Sequence, residues 1–217
     1  MYEAVIFDLD GTLLDTLDDL WDSVNAALEK YGLPLRTREE VRWFVGNGIA
    51  KLIERATGEV EKEVYEGVLA EFKRHYAEHC EDKTKPYEGS MPLLSLLKEK
   101  GIKTAVVSNK ADFALKKLAQ SYFDGLLLEA VGENEAAGIR KKPAPDSVLA
   151  VMQSMGVGTR STVYIGDSEV DLQTAKNAGV DCIAVTWGFR DRAFLIERGA
   201  TVLVDTATEL EKVLSGL

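Results

Sequence analysis

What most constrains this chain is a series of short, uninterrupted apolar runs spaced by helix-length patterns. Ala4-Val5-Ile6-Phe7 presents no polar side chain to either face, as a strand covered on both sides of a parallel sheet requires. Similar runs recur at Thr104-Ala105-Val106-Val107, Leu126-Leu127-Leu128, Thr162-Val163-Tyr164-Ile165, Cys182-Ile183-Ala184-Val185 and Thr201-Val202-Leu203-Val204. Between them, apolar spacing predicts helices near 91–101, 112–122, 146–156, 170–178, 191–198 and 207–215. Gly101, Gly156, Gly179 and Gly199 close several of these. Strands alternating with helices over short links specify the α/β class and a doubly wound parallel sheet.

One stretch breaks the alternation. From about residue 15 to residue 85 the period is helical throughout. Leu14, Leu17, Trp21, Val24, Leu28 and Tyr31 recur every three or four residues, with Gly32 and Pro34 beyond. Thr37-Arg38-Glu39-Glu40 reads as a capping box opening a second helix. Val64, Val68, Phe72, Tyr76 and His79 trace a further face. An insertion this long is no simple crossover. It predicts a small all-α domain over 15–85 inserted into an α/β core formed by 1–14 and 86–217.

Charge narrows the partners. The 217 residues carry 26 basic and 36 acidic side chains, a net −10. A nucleic acid or an anionic membrane demands a basic face, so neither is an expected partner. At 46% apolar and 29% charged the composition is that of a globular protein. No apolar run approaches the ~20 residues that cross a bilayer. Glu3 and Asp8 close behind Met1 do not suit a signal peptide. Cys80 and Cys182, far apart and in unrelated contexts, suit a reducing compartment. The expectation is a cytoplasmic protein, monomeric or homodimeric.

Ligands of open α/β sheets bind at the carboxyl ends of the strands. The first run leads directly into Asp8-Leu9-Asp10-Gly11-Thr12, and the run at 162–165 into Gly166-Asp167-Ser168-Glu169-Val170-Asp171. Any one of these acids alone could simply cap a following helix. Acids gathered at two strand ends are costly unless a cation neutralises them, and carboxylates suit a hard cation, Mg²⁺ where phosphate and water complete the shell. After 104–107 comes Ser108-Asn109-Lys110, whose hydroxyl and N–H groups, near an expected helix start, could hold a phosphoryl oxygen. Lys142 precedes Pro143, so its backbone is extended and its side chain can enter the cleft.

These residues, Asp8-Leu9-Asp10-Gly11-Thr12-Leu13, Ser108, Lys142-Pro143 and Gly166-Asp167-Ser168 with Asp171, resemble in order the four motifs of the haloacid dehalogenase-like superfamily of phosphatases. The inserted helices look like that superfamily's α-helical cap on a Rossmann-like core. Within it the chain is most similar to phosphoglycolate phosphatases and their relatives, through Val45-Gly46-Asn47-Gly48, Ser108-Asn109-Lys110 and Trp187-Gly188-Phe189-Arg190. The resemblance implies a Mg²⁺-dependent phosphatase of a small phosphorylated metabolite, 2-phosphoglycolate first. Asp8 would be the nucleophile forming an aspartyl-phosphate, and Asp10 the general acid and then base. Asp8, the Asp10 carbonyl oxygen and Asp167 would hold the metal, with Asp171 in support. Ser108, Asn109 and Lys142 would orient the phosphoryl oxygens. By its glycines, the Gly46-Asn47-Gly48 loop is either a helix-opening loop whose backbone N–H groups, Asn47 included, could bind the polar or anionic end of a substrate, or a plain turn between helices.

A sugar phosphomutase or an inorganic pyrophosphatase on the same core is the nearest alternative. Asp10 argues against a dehalogenase, which needs no acid there. A phospho-aspartate signalling receiver, at about 120 residues, would have no helical insertion. His75, His79 and Cys80 share a helix, but Tyr76 stands where a zinc peptidase carries glutamate, so a solvated helix face is expected. Trp21, Trp43 and Phe44 are expected in the core of the inserted domain.

Overall fold

The computed structural model describes residues 2–133 and 138–216. Among them, six parallel strands form one sheet in the order β5-β4-β1-β6-β7-β8. These are β1 (Ala4–Phe7), β4 (Lys103–Ala111), β5 (Glu129–Glu133), β6 (Thr162–Gly166), β7 (Asp181–Val185) and β8 (Leu203–Val204). β1 lies between β4 and β6, with Phe7 opposite Val106 on one side and Ile165 on the other. The chain winds outward from β1 to β5 and then returns to β6 beside it. That reversal opens a crevice at the carboxyl ends of β1, β4 and β6.

Both faces of β1 are covered, which explains its unbroken apolar run. Val5 and Phe7 join one buried cluster, which also takes Leu93, Leu94 and Leu97 from α5 (Ser90–Glu99) and Leu115 and Leu118 from α6 (Asp112–Phe123). Ala4 and Ile6 join a second, with Val148, Val151 and Met152 from α7 (Asp146–Met155) and Ala175 from α8 (Glu169–Ala178). Two short helices, α9 (Arg192–Glu197) and α10 (Ala207–Gly216), complete the sheet's surroundings. Among the described residues, no helix is long and apolar enough to cross a membrane.

The stretch after β1 is helical, as its periodicity predicts. It comprises α1 (Leu17–Lys30), α2 (Arg38–Phe44), α3 (Ile49–Thr57) and α4 (Lys62–His79). Thr37 and Glu40 form the expected capping box at α2. Two-residue strands, β2 (Leu14–Asp15) and β3 (Lys85–Pro86), pair antiparallel where the chain enters and leaves this segment. Buried Asp19 on α1 pins the exit by accepting the backbone N–H groups of Lys83 and Thr84 at 2.8–3.1 Å.

Two local expectations are corrected. Leu126-Leu127-Leu128 is not a strand: β5 begins at Glu129, and the leucines lead into it, tied to Thr104 by its hydroxyl to the Leu126 carbonyl and by the Leu128 N–H. Leu126 and Leu127 pack on the core from outside the ladder, so their apolar character serves packing and not pairing. The last strand pairs only through Leu203–Val204, leaving Thr201 and Val202 outside it. β4 runs through Ser108-Asn109-Lys110 to Ala111, its register against β5 shifting between Val107 and Ala111, and α6 follows at Asp112, where the sequence places a helix start.

Replacing Asp19 with Ala strands the buried N–H of Thr84 and the partly buried N–H of Lys83, and unfolding in urea is expected to show a loss of about 1–3 kcal/mol. Amide exchange at Lys83 and Thr84 should accelerate more than at β1; unchanged exchange there would refute the pinning role.

Candidate active site

The crevice gathers side chains from four connections. Asp8 follows β1 directly and Asp10 lies two residues on; Ser108 and Lys110 come from the irregular end of β4; Lys142 precedes α7; Asp167 follows β6; Asp171 lies in the first turn of α8. Asp8, Ser108, Lys110, Lys142, Asp167 and Asp171 are all buried. At β1 and β6 the apolar run gives way to acids where the strand ends, and at β4 the polar residues lie inside the strand where its register against β5 shifts.

Lys142 is the centre of the charge network. Its Nζ lies 3.0 Å from Asp8 Oδ1 and 2.7 Å from Asp171 Oδ1, and it donates to the Tyr164 hydroxyl at 3.0 Å. Burial alone would favour neutral lysine, but Asp171 and Asp8 outweigh it and hold the ammonium well above the ordinary lysine range. The second oxygen of Asp171 accepts from the backbone N–H and hydroxyl of Ser168, so both its oxygens are engaged. Asp171 thereby caps α8 and anchors Lys142 at once.

Asp167 has weaker support. Its oxygens accept from the Thr12 hydroxyl at 3.1 Å and the Phe189 N–H at 2.7 Å, with no cation among those bonds. Burial, reinforced by Asp171 and Asp8, pushes its carboxyl well above the usual range. Asp8 is pushed up to about 6, chiefly by burial, with Lys142 opposing and Asp171 and Asp10 adding. Carboxylate oxygens of Asp8, Asp167 and Asp171 lie within 4.8 Å of one another. An all-oxygen cluster with unneutralised buried acids fits a hard dication, and Mg²⁺ is such an ion. Gly188 lets this packing close: a Cβ there would collide with Asp167 and the Gly11 carbonyl.

Asp10 stands apart from that carboxylate cluster. Its Oδ1 accepts from the Thr16 hydroxyl at 2.7 Å and from Lys110 Nζ at 2.8 Å. Lys110 also donates to the Tyr76 hydroxyl on α4 at 2.6 Å. Burial opposes the charge of Lys110, yet Asp10 and Tyr76 hold it above the ordinary lysine range. Sequence reasoning gave Lys110, Tyr76, Thr12 and Thr16 no role. Tyr76 showed only as one apolar position of a helical face, although Lys110 adjoins residues already singled out.

Two expected substrate contacts have their side chains engaged within the protein. Asn109 donates its amide to the carbonyls of Lys142 and Gly46 and accepts the Lys142 N–H at 2.8 Å, so it positions Lys142. Asn47 accepts from Arg55 at 2.9 Å and lines an outer cleft, while its neighbours Gly46 and Gly48 border the central cavity. That cavity, about 40 Å³, is bordered by Asp8, Asp10, Lys110 and Tyr76 on its polar side.

A second missed residue joins core to helices. Arg190, buried in the loop after β7, donates to the carbonyls of Arg42 and Val45 at 3.0 Å, pairs with Glu169, and lies 4.9 Å over the Trp43 ring. Trp43 is therefore no interior residue of the helical segment: it is partly exposed and meets Phe194 of α9 edge-on. Trp21, half-buried, bonds the Arg36 carbonyl, and Phe44 packs on the core's edge. His75, half-buried, bonds the buried Ser23 of α1, His79 bonds Asp82, and Cys80 is fully buried, against the expectation of a solvated face.

Comparison with known proteins decides the family. The haloacid dehalogenase-like hydrolase family model matches residues 5–185. The chain belongs to the haloacid dehalogenase-like hydrolases. It is 32% identical over 212 residues to phosphoglycolate phosphatase 1 of Pseudomonas aeruginosa, covering 95% of this chain and 77% of that one. It is 34% identical over 219 residues to a Pseudomonas putida phosphoglycolate phosphatase, covering 98% and 78%. A solved structure from Lactobacillus delbrueckii subsp. bulgaricus, provisionally named a phosphoglycolate phosphatase, superposes with a TM-score of 0.93 at 41% identity, covering 98% of both chains. In this hydrolase the four motif segments quoted from the sequence meet at one crevice.

The Asp8 carboxyl, ordinarily near 3.8, sits at about 6 in the metal-free fold, so protonated Asp8 stabilises the protein. That contribution is complete below the unfolded value and is lost as pH rises through about 6. Metal-free Asp8→Asn is therefore expected to gain up to about 3 kcal/mol over the parent at pH 8 and little at pH 4. Thermal melting with and without Mg²⁺ checks this: Mg²⁺ should raise the parent's Tm more than the variant's. Equal stability at pH 8 without metal would overturn it.

Proposed function

We propose that this hydrolase is a Mg²⁺-dependent phosphatase of small phosphomonoesters, 2-phosphoglycolate first among them, working through an aspartyl-phosphate on Asp8. The observation carrying the reading is Lys142 held between Asp8 and Asp171 with Asp167 alongside, a charge arrangement suited to an anionic ester and a dication together. Similarity to phosphatases named for phosphoglycolate supports the substrate.

In this mechanism Asp8 Oδ attacks phosphorus in line while the ester oxygen departs with a proton from Asp10. Water then attacks the phosphorus of the acyl-phosphate and gives its proton to Asp10, releasing phosphate and restoring Asp8. Ser108 and Lys142 hold the equatorial oxygens; the Lys142 N–H directed at Asp8 is shared with one of them as the bond forms. Thr16 and Lys110 fix the Asp10 carboxyl for both transfers. Mg²⁺ held by Asp8, Asp167 and the Asp10 carbonyl, with Asp171 supporting through Lys142 and Ser168, would supply the charge compensation that admits a phosphoryl group beside buried acids.

The segment 15–85 acts as a cap domain over a core of 1–14 and 86–217, with the paired β2 and β3 as its hinge. Leu20, Val45, Ile49 and Leu52 border the cavity, a lining that favours a short ester over a sugar with many hydroxyls, and so a phosphatase over a phosphomutase. The two free cysteines, one of them buried, agree with a cytoplasmic setting.

Phosphate release from a panel of 2-phosphoglycolate, sugar phosphates, nucleoside monophosphates and pyrophosphate tests the reading. EDTA should abolish turnover and Mg²⁺ restore it. Asp8→Asn and Lys142→Met should each lower kcat/KM by at least about 10³-fold. No release from any compound, or release that survives Asp8→Asn, would sink the phosphatase; isomerisation of β-glucose 1-phosphate without release would favour the mutase.

A further inference from the structure

Lys110 and Tyr76 leave hydrogen-bonding capacity facing the cavity. The ammonium of Lys110 has three N–H groups; one goes to Asp10 and one to the Tyr76 hydroxyl. The third finds no acceptor among the described residues, and neither does the O–H of Tyr76. Both side chains border the cavity, and both are almost wholly buried. The apolar side chains of Leu20, Val45, Ile49 and Leu52 share its lining. Asn109 and Arg190 also border the space, but their donors are committed to the carbonyls of Gly46, Lys142, Arg42 and Val45. Two unspent donors, their heavy atoms 2.6 Å apart in a cavity that Leu20, Ile49 and Leu52 also line, match the two oxygens of a carboxylate.

We infer that Lys110 and Tyr76 form the subsite for a carboxylate carried by the substrate's leaving group, making them specificity-determining residues. The inference rests on the phosphatase reading for the meaning of "leaving group".

Position limits the chemistry further. Asp10 must touch both the leaving oxygen and Lys110, from which it is 2.8 Å away. The carboxylate therefore lies a short linker from that oxygen, as in a phosphorylated 2-hydroxy acid. Longer acids would drive their anion past Lys110 into the apolar wall.

Calorimetric binding in the presence of Mg²⁺ tests the subsite without turnover, using 3-phosphonopropionate and its uncharged counterpart propylphosphonate. The parent should bind the carboxylate probe at least about 10-fold tighter. Tyr76→Phe, which keeps the ring, and Lys110→Met should each bring the two probes to within about threefold, while Lys110→Arg keeps most of the preference. A parent that binds both probes alike, or variants that weaken both equally, would overturn the subsite and leave the pair as mere supports of Asp10. Phosphate release by the same proteins is read separately. Preference for 3-phosphonopropionate with no ester hydrolysed would leave the carboxylate subsite standing and remove the phosphatase reading; hydrolysis without preference would do the reverse.

Discussion

The ammonium of Lys142 is the constraint on which the site depends. Two carboxylates, Asp8 and Asp171, lie within 3.0 Å of it in a space almost without solvent. Removing the lysine from such a buried set costs about 3–5 kcal/mol, because it leaves two carboxylates buried with no counter-charge. The fold therefore fixes Lys142 from several sides. Asn109 grips its backbone N–H and carbonyl from β4, and Tyr164 of β6 receives its ammonium while donating to the Val107 carbonyl. One lysine thus ties β4, β6 and the turn before α7 to the residue that follows β1. Asp167 lacks an equivalent partner, and that asymmetry is what makes a bound dication favourable.

The helical segment is joined to the core through the same residues that build the site. Asn109, which positions Lys142, also reaches the Gly46 carbonyl. Lys110, which holds Asp10, also reaches Tyr76 on α4. Arg190, two residues from the Gly188 that packs on Asp167, caps the last carbonyls of α2. Each link has one end in the helices and the other on a group beside a site carboxylate. Displacing the helices must break charge-assisted bonds at Lys110 and Arg190, and closing them restores the alignment of Asp10. Access and chemistry are thereby coupled through named hydrogen bonds, with no separate relay required.

Much of this was legible in the sequence for a simple reason. A strand buried on both faces must be apolar along its whole length, so its end is marked by the first acids, and Asp8 and Asp167 sit at those marks. Edge behaviour was not legible. Leu126-Leu127-Leu128 has the composition of a strand, yet β5 has β4 on one side only, and the half-buried residues beginning at Glu129 make the pairing. Asn47 and Asn109 looked like ligands because a polar side chain near glycine or a strand end suits that role. Their true partners, Arg55 and Lys142, are set by tertiary register that spacing does not encode. Cys80 closes α4 in a fully buried position next to the half-buried His79, a distinction of one residue's rotation.

The net charge of −10 suggests a protein ill suited to an anionic ester, but charge acts over a limited range. At physiological ionic strength the Debye length is about 8 Å, so most surface carboxylates are screened from the crevice. Inside it the relevant groups are Asp8, Asp10, Asp167 and Asp171 against Lys110 and Lys142, all within a region that water screens poorly. The acids outnumber the lysines until a dication enters, and only then does the local balance favour a phosphoryl group. Binding of metal and of ester must therefore be linked in this site, each lowering the electrostatic cost of the other. The buried lysines set how far that linkage goes, because they neutralise the acids that the metal does not reach.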